Sequence, residues 1–95
     1  MRIISKKKLM EFWQKHPQSE IPLNDWYKIV SRNSYKNLVE IRGTFPSADW
    51  VGNLLVFNIS GNKYRLITAV HFNTGTVYIR DVLSHAEYDK GKWKK

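Results

Sequence analysis

Residues 54–84 read LLVFNISGNKYRLITAVHFNTGTVYIRDVLS, and this stretch decides the fold. It holds three runs rich in β-branched and aromatic residues, Leu54–Ile59, Tyr64–Phe72 and Val77–Leu83. Ser60-Gly61-Asn62 and Asn73-Thr74-Gly75 separate them. Glycine-containing turns that short join antiparallel neighbours, because a parallel crossover needs about a dozen residues or more. The reading is an antiparallel meander. Ser84-His85-Ala86-Glu87 follows with the Ser-x-x-Glu spacing of a capping box, so a short C-terminal helix or turn begins there.

Upstream the period changes from two to 3.6. Leu9, Phe12 and Trp13 share one face of a first helix, with Ser5 at its N-cap and His16-Pro17 ending it. Leu23, Trp26, Tyr27 and Val30 form the cleanest helical stripe in the chain. That second helix opens at or just after Ser19, with Pro22 in its first turn. Asn33-Ser34 breaks the pattern, a short helical turn can follow around 35–41, and Gly43–Asn53 (GTFPSADWVGN) reads as a loop. The order of helices before meander predicts one α+β domain over residues 1–95. Two N-terminal helices pack on one face of a small twisted antiparallel sheet, and a short helix closes the chain.

Ninety-five residues make one domain, and at 42% hydrophobic the chain can bury a core. The absence of cysteine excludes a disulfide framework, a thiol nucleophile and a Cys-based zinc site. No apolar run approaches the roughly 20 residues that a membrane span needs. The start, MRIISKKKLM, has its charge after its apolar residues and is not a secretion signal, so a cytoplasmic location is expected.

The formal net charge is +8, and its placement matters more than its size. Residues 1–10 carry four cations and no acid, residues 90–95 (KGKWKK) carry another four, and the stretch between sums to zero. Such a distribution favours a polyanionic partner, whether RNA, DNA or an acidic protein, although solubility alone also accounts for it. Lys6, Lys7 and Lys8 occupy the first turn of the first helix, where the macrodipole is already positive. They are therefore candidate anion contacts, together with Lys90, Lys92 and Lys94.

Metal chemistry is not indicated: His16, His71 and His85 show no HxH or HExxH spacing, and His85, Glu87 and Asp89 are too loose for a ligand set. No phosphate-cradling glycine loop or nucleophile elbow is present. The stronger constellation lies at 58–65 and 80–88. Alternation puts Lys63 and Arg65 on one face about 6.5–7 Å apart. Leu83 returns to the sheet end where Tyr64 began, which brings His85 and Tyr88, neighbours on the final helix, to the same place. Two cations, an imidazole, a phenol and a helix N-terminus would then converge, a combination able to hold phosphate and exchange protons. Each member also has a structural reading: Ser84 and Glu87 as a cap, Tyr88 as an anchor, Arg80 as a cross-strand partner, Asn62 as a turn residue.

The segments Val56–Ile59, Gly61–Ile67 and Tyr78–Lys90, with Phe45-Pro46-Ser47-Ala48-Asp49, resemble the HigB branch of the RelE-like toxins, the toxin halves of bacterial type II toxin–antitoxin pairs. The likeness runs over essentially the whole chain and is most specific in its C-terminal half. Where this sequence has Ser84 the family leads one to expect threonine, a change that keeps the hydroxyl cap. The resemblance implies the RelE-like toxin fold, with Met1–Ile4 pairing as a strand. It also implies ribosome-dependent, metal-independent cleavage of translated mRNA in the A site, by attack of a 2′-hydroxyl on the adjacent phosphate. Carried over by position, Lys63 and Arg65 hold the scissile phosphate, and His85 and Tyr88 are functional residues. Asn62 and Arg80 join the lysines as RNA contacts. The resemblance does not divide His85, Tyr88 and Lys63 into acid and base. It implies a HigA-like helix-turn-helix antitoxin, the ribosome and mRNA as partners, with no cofactor. The competing reading is a non-catalytic RNA- or ribosome-binding module of the same fold.

Overall fold

A computed structural model describes residues 1–94; Lys95, part of the basic C-terminal run, lies outside the described residues. The elements are β1 (Arg2–Ile4), α1 (Lys6–Lys15), α2 (Glu20–Arg32), α3 (Leu38–Thr44), β2 (Asp49–Val51), β3 (Leu54–Ile59), β4 (Tyr64–His71), β5 (Thr76–Ser84) and α4 (His85–Asp89). One-turn 3₁₀ segments lie at Pro17–Ser19 and Lys92–Lys94. The five strands form one sheet in the order β1-β5-β4-β3-β2. The α+β class and the three-strand meander hold.

Two expectations need correction. The sheet is not wholly antiparallel, since β1 runs parallel to β5 with Ile3 opposite Val77. That pairing is possible because α1, α2 and the rest of the chain supply the long connection a parallel pair requires. Gly43–Asn53 is not all loop: α3 extends through Gly43 to Thr44, and Asp49–Val51 pairs with β3 as an edge strand. Arg42 Nη2 lies 2.8 Å from Asp49 Oδ1 and ties α3 to this strand, a tertiary contact that local composition does not encode. The first two helices start where expected, with Ser5 and Ser19 at their N-cap positions, although neither side chain makes a capping hydrogen bond; the Ser19 hydroxyl donates to the His16 carbonyl at 2.7 Å.

Alternation sorts the sheet residues into two faces. Leu55, Phe57 and Ile59 of β3, Tyr64 and Leu66 of β4, and Val77, Ile79 and Val82 of β5 meet Leu9, Leu23, Trp26, Val30 and Ile41 from the helices. Phe57 is the hub, with Trp26 and Phe45 each edge-on to it at 5.3 Å between centroids. Val56, Arg65 and Ile67 face the other way and are buried as well. In β5 the alternation slips once. Ile67 pairs with Asp81 and Thr68 with Ile79, so Arg80 is the extra residue of a β-bulge. The bulge lets Ile79 and Val82 share the core face although three positions separate them, and it turns Arg80 out to solvent.

The Ile59–Tyr64 connection also departs from ideal backbone. Ser60 (φ 55°) and Gly61 (φ 66°) both occupy the left-handed region, which glycine enters freely and serine at a cost.

Removing the Phe57 ring leaves Trp26 and Phe45 without their shared partner. Phe57→Ala should destabilise the domain by about 3–5 kcal/mol in urea unfolding followed by tryptophan fluorescence. Val39→Ala, at a position 80% exposed, should change stability by no more than about 0.5 kcal/mol.

Candidate active site

The register of β4 against β5 builds the site: Tyr64 stands opposite Ser84 and Arg65 opposite Leu83. Chain direction then reverses out of β5 straight into α4. The His85 N–H donates to the Lys63 carbonyl at 3.0 Å, fastening the start of α4 to the residue before β4. Ser84 and Glu87 form the expected capping box, with the Glu87 N–H donating to Ser84 Oγ at 3.2 Å and the Ser84 N–H to Glu87 Oε1 at 3.0 Å.

These bonds change one part of the sequence reading. The N–H groups of Ser84, His85 and Glu87 all have intramolecular acceptors, so most of the donors at the start of α4 are already committed. What α4 contributes is the placing of its side chains. Glu87 is held in its charged form. The hydrogen bond from the Ser84 N–H lowers its pKa from the ordinary 4.5, helped by the Ser84 hydroxyl and by His16 and Lys90 nearby, against an opposing contribution from partial burial.

Arg65 is only 9% exposed. Its Nη1 donates to the Asn62 and Tyr64 carbonyls, each at 3.2 Å, and its guanidinium carbon lies 5.3 Å from the centroid of the Tyr88 ring. Trp93 stacks on Tyr88 with centroids 4.9 Å apart, and its indole N–H donates to the Tyr88 carbonyl at 2.9 Å. Because Arg65 alternates with Tyr64 and Leu66, α4 and the tail lie on the face of the sheet opposite α1 and α2. Lys63 is exposed in the turn rather than in β4, so strand alternation does not set its direction.

His85 is exposed on α4, with Nδ1 2.9 Å from Asp89 Oδ2. The backbone positions of Lys63, Arg65, His85 and Tyr88 therefore lie at the junction of β4 and α4, where the Arg65 and Tyr88 side chains are in contact. His71 sits at the far end of β4, roughly 23 Å of strand away, edge-on to Tyr78.

The wider basic residues divide into groups. Lys8 Nζ donates to the Arg80 carbonyl at 3.0 Å, and both line a groove of ≈ 770 Å³ between α1 and the end of β5, together with Lys15, His16 and Glu87. Lys6 does not join them; its ammonium lies 4.8 Å from the Tyr27 ring centroid. These two contacts offset the unfavourable dipole at the start of α1, while Lys7 is exposed. Lys90 and Lys92 border a second hollow with Trp93 and Asp81, and Lys94 lies over the Trp93 ring at 5.8 Å. Asn62 contributes its backbone carbonyl to Arg65.

Three residues at or beside the site were not singled out from sequence. Asp89 had a usable signal, since His85 and Asp89 stand at i and i+4. Trp93 was visible only as the one aromatic in a basic tail. His16 stacks on Phe12 at 4.3 Å and enters the groove through tertiary packing, which no local pattern announces. Among the described residues, no three His, Asp or Glu side chains cluster as a metal site, and no helix is long and apolar enough to cross a membrane.

A meander with α4 folded behind it and basic residues around the junction defines a small α+β domain suited to a polyanion. A family model described as HigB_toxin, RelE-like toxic component of a toxin-antitoxin system, matches residues 19–91. The chain is 32% identical over 92 residues to "mRNA interferase toxin HigB" of Escherichia coli (strain K12), a match covering 94% of this chain and 88% of that one. The "mRNA interferase HigB" of Shigella flexneri gives the same figures, and that of Escherichia coli O6:H1 is 29% identical over 93 residues, 95% of this chain and 90% of that one. The chain belongs to the HigB toxin family of RelE-like toxic components.

The Glu87 cap has a defined pH signature. Its folded-state pKa is depressed, so its stabilisation is fully present above the unfolded value and is lost as pH falls through the folded one. Glu87→Ala should loosen α4 at neutral pH, seen as faster amide exchange at Ser84 and Glu87. The difference from the parent protein should vanish in acid, below the folded-state pKa.

Proposed function

We propose that this protein is the toxin of a type II toxin–antitoxin pair and an endoribonuclease that cuts translated mRNA in the ribosomal A site without a metal ion. The observation that carries the reading is the junction of β4 and α4. Lys63 and Arg65 bring positive charge to the place where His85 and Tyr88 stand one helical turn apart. The names of the relatives, mRNA interferases, point to the same chemistry.

In this reading the RNA 2′-hydroxyl gives its proton to the His85 imidazole and attacks the adjacent phosphorus. The P–O5′ bond breaks, and the departing 5′ oxygen takes a proton from the Tyr88 hydroxyl. The products are a 2′,3′-cyclic phosphate and a free 5′-hydroxyl. Negative charge grows on the phosphoryl oxygens in the transition state, so positioned cations stabilise it more than the ground state. Lys63, exposed, serves this directly. Arg65 has a double task, because its guanidinium also holds the turn and the Tyr88 ring. Lys7, Arg80, Lys90, Lys92 and Lys94 supply contacts to RNA phosphates beyond the cut, as do Lys6 and Lys8 where their existing partners leave them free donors. Asn62 lies beside them in the turn. A HigA-like helix-turn-helix antitoxin completes the pair.

The test is primer extension on ribosome-bound mRNA, with circular dichroism of every variant. His85→Ala should lose about 10²–10⁴-fold in cleavage rate with the fold intact. Tyr88→Phe should lose activity while keeping the stack on Trp93, and His71→Ala should cut normally. Arg65→Ala is expected to lose stability as well as activity, because two backbone carbonyls lose their donor. A folded His85→Ala protein that cuts normally removes His85 from the reaction. Stalled translation with intact message would favour the non-catalytic, ribosome-binding reading. Neutralising Lys7, Lys92 and Lys94 should weaken ribosome binding and flatten its salt dependence, as fewer counterions are released; an unchanged slope would make these lysines bystanders.

A further inference from the structure

We infer that Asp89 is a positioning residue for His85, holding the imidazole with its proton on Nδ1 so that Nε2 is the nitrogen that meets substrate. The inference rests on the catalytic reading of His85 given above. Asp89 Oδ2 lies 2.9 Å from His85 Nδ1, the two residues standing one turn apart on α4. A carboxylate is an acceptor only, so a neutral imidazole at that distance can bond to it only by placing its single proton on Nδ1. The lone pair is then on Nε2. A nucleophile's base oriented by a third group is the arrangement that proton abstraction from a hydroxyl requires.

The surroundings restrict both partners. The His85 N–H is bonded to the Lys63 carbonyl, so the base of the imidazole cannot drift from the turn. Tyr88, the residue before Asp89, is held from both directions, its ring by Arg65 and Trp93 and its carbonyl by the indole N–H. Asp89 is thus presented by a braced backbone although its side chain is 61% exposed. Helix stabilisation is the competing explanation of the pair. It is weak here, because an exposed i, i+4 pair contributes little to stability, and the capping box and the Lys63 bond already secure the five-residue helix.

The experiment has two arms on the full-length chain. In the first, long-range proton–nitrogen NMR of the free toxin is recorded at a pH where the imidazole is neutral. The expected result is Nδ1 protonated and Nε2 bare in the parent protein, and in Asp89→Ala a shift to the Nε2-protonated form that free histidine prefers. A parent spectrum with the proton on Nε2, or one unaltered by Asp89→Ala, overturns the inference. In the second, single-turnover cleavage is measured on mRNA-programmed ribosomes. Asp89→Ala should slow the cleavage step by up to about 100-fold with the thermal midpoint unchanged and ribosome affinity not weakened. Asp89→Asn, whose amide oxygen can still accept from Nδ1, should recover part of the rate. In a His85→Ala background Asp89→Ala should cost nothing further; an equal loss in both backgrounds overturns the positioning role. A His85→Ala protein that cuts normally overturns the catalytic part of the inference together with the proposed function, and the NMR arm separates that failure from failure of the pairing.

Discussion

Tyr64 and Leu66 face the helices, and because side chains alternate along a strand, Arg65 between them must face away. The rest of the site follows from this constraint. With Arg65 opposite Leu83, β5 ends beside the turn where β4 begins, and α4 starts within hydrogen-bonding distance of Lys63. A slip of one residue would put Arg65 among Leu9 and Phe57 and carry Tyr64 and Leu66 to the reverse face. Burying a guanidinium there without partners would cost several kcal/mol. The apolar core therefore specifies the register, and the register assembles the site.

The tail is held mainly by aromatic and cationic contacts rather than by a second apolar core. Arg65, Tyr88 and Trp93 form a cation–π and stacking column, and the guanidinium at its foot is satisfied by the Asn62 and Tyr64 carbonyls. One arginine thus links the turn to the C-terminal segment. The same economy appears at the start of α1, where Lys6 and Lys8 relieve the positive dipole by lying over Tyr27 and by capping the Arg80 carbonyl. Lysines that look like a free basic patch in sequence are in part structural.

Acidic residues are the less expected part of the site. Glu87 is committed to the Ser84 cap, and Asp89 lies against His85. In a domain of net charge +8, carboxylates beside the proposed reacting groups would oppose the binding of a polyanion such as RNA. Their placement makes sense as local organisation: Glu87 fastens the first turn of α4, and Asp89 orients an imidazole. The antitoxin partner implied by the family would meet a surface whose charge is concentrated at both ends of the chain.

Much of this was legible in the sequence, because short-range physics governs it. Period-two patterning with short glycine turns determined the meander of β3, β4 and β5. Period 3.6 at Leu23, Trp26, Tyr27 and Val30 determined α2, and Ser84 and Glu87 announced the capping box. The gathering of Lys63, Arg65, His85 and Tyr88 could be inferred because an antiparallel hairpin returns the chain to its starting end. What lay outside local pattern was decided by contacts between distant residues. The parallel pairing of β1 with β5 and the edge strand at Asp49 join segments whose partners are not neighbours in sequence. The bulge at Arg80 arises because Ile79 and Val82 must both reach the core. The occupied N–H groups of α4, the burial of Arg65 under Tyr88 and the entry of His16 into the groove depend on which groups the folded chain brings within reach. Hydrogen bonds and desolvation act at that range, and only the tertiary structure sets it.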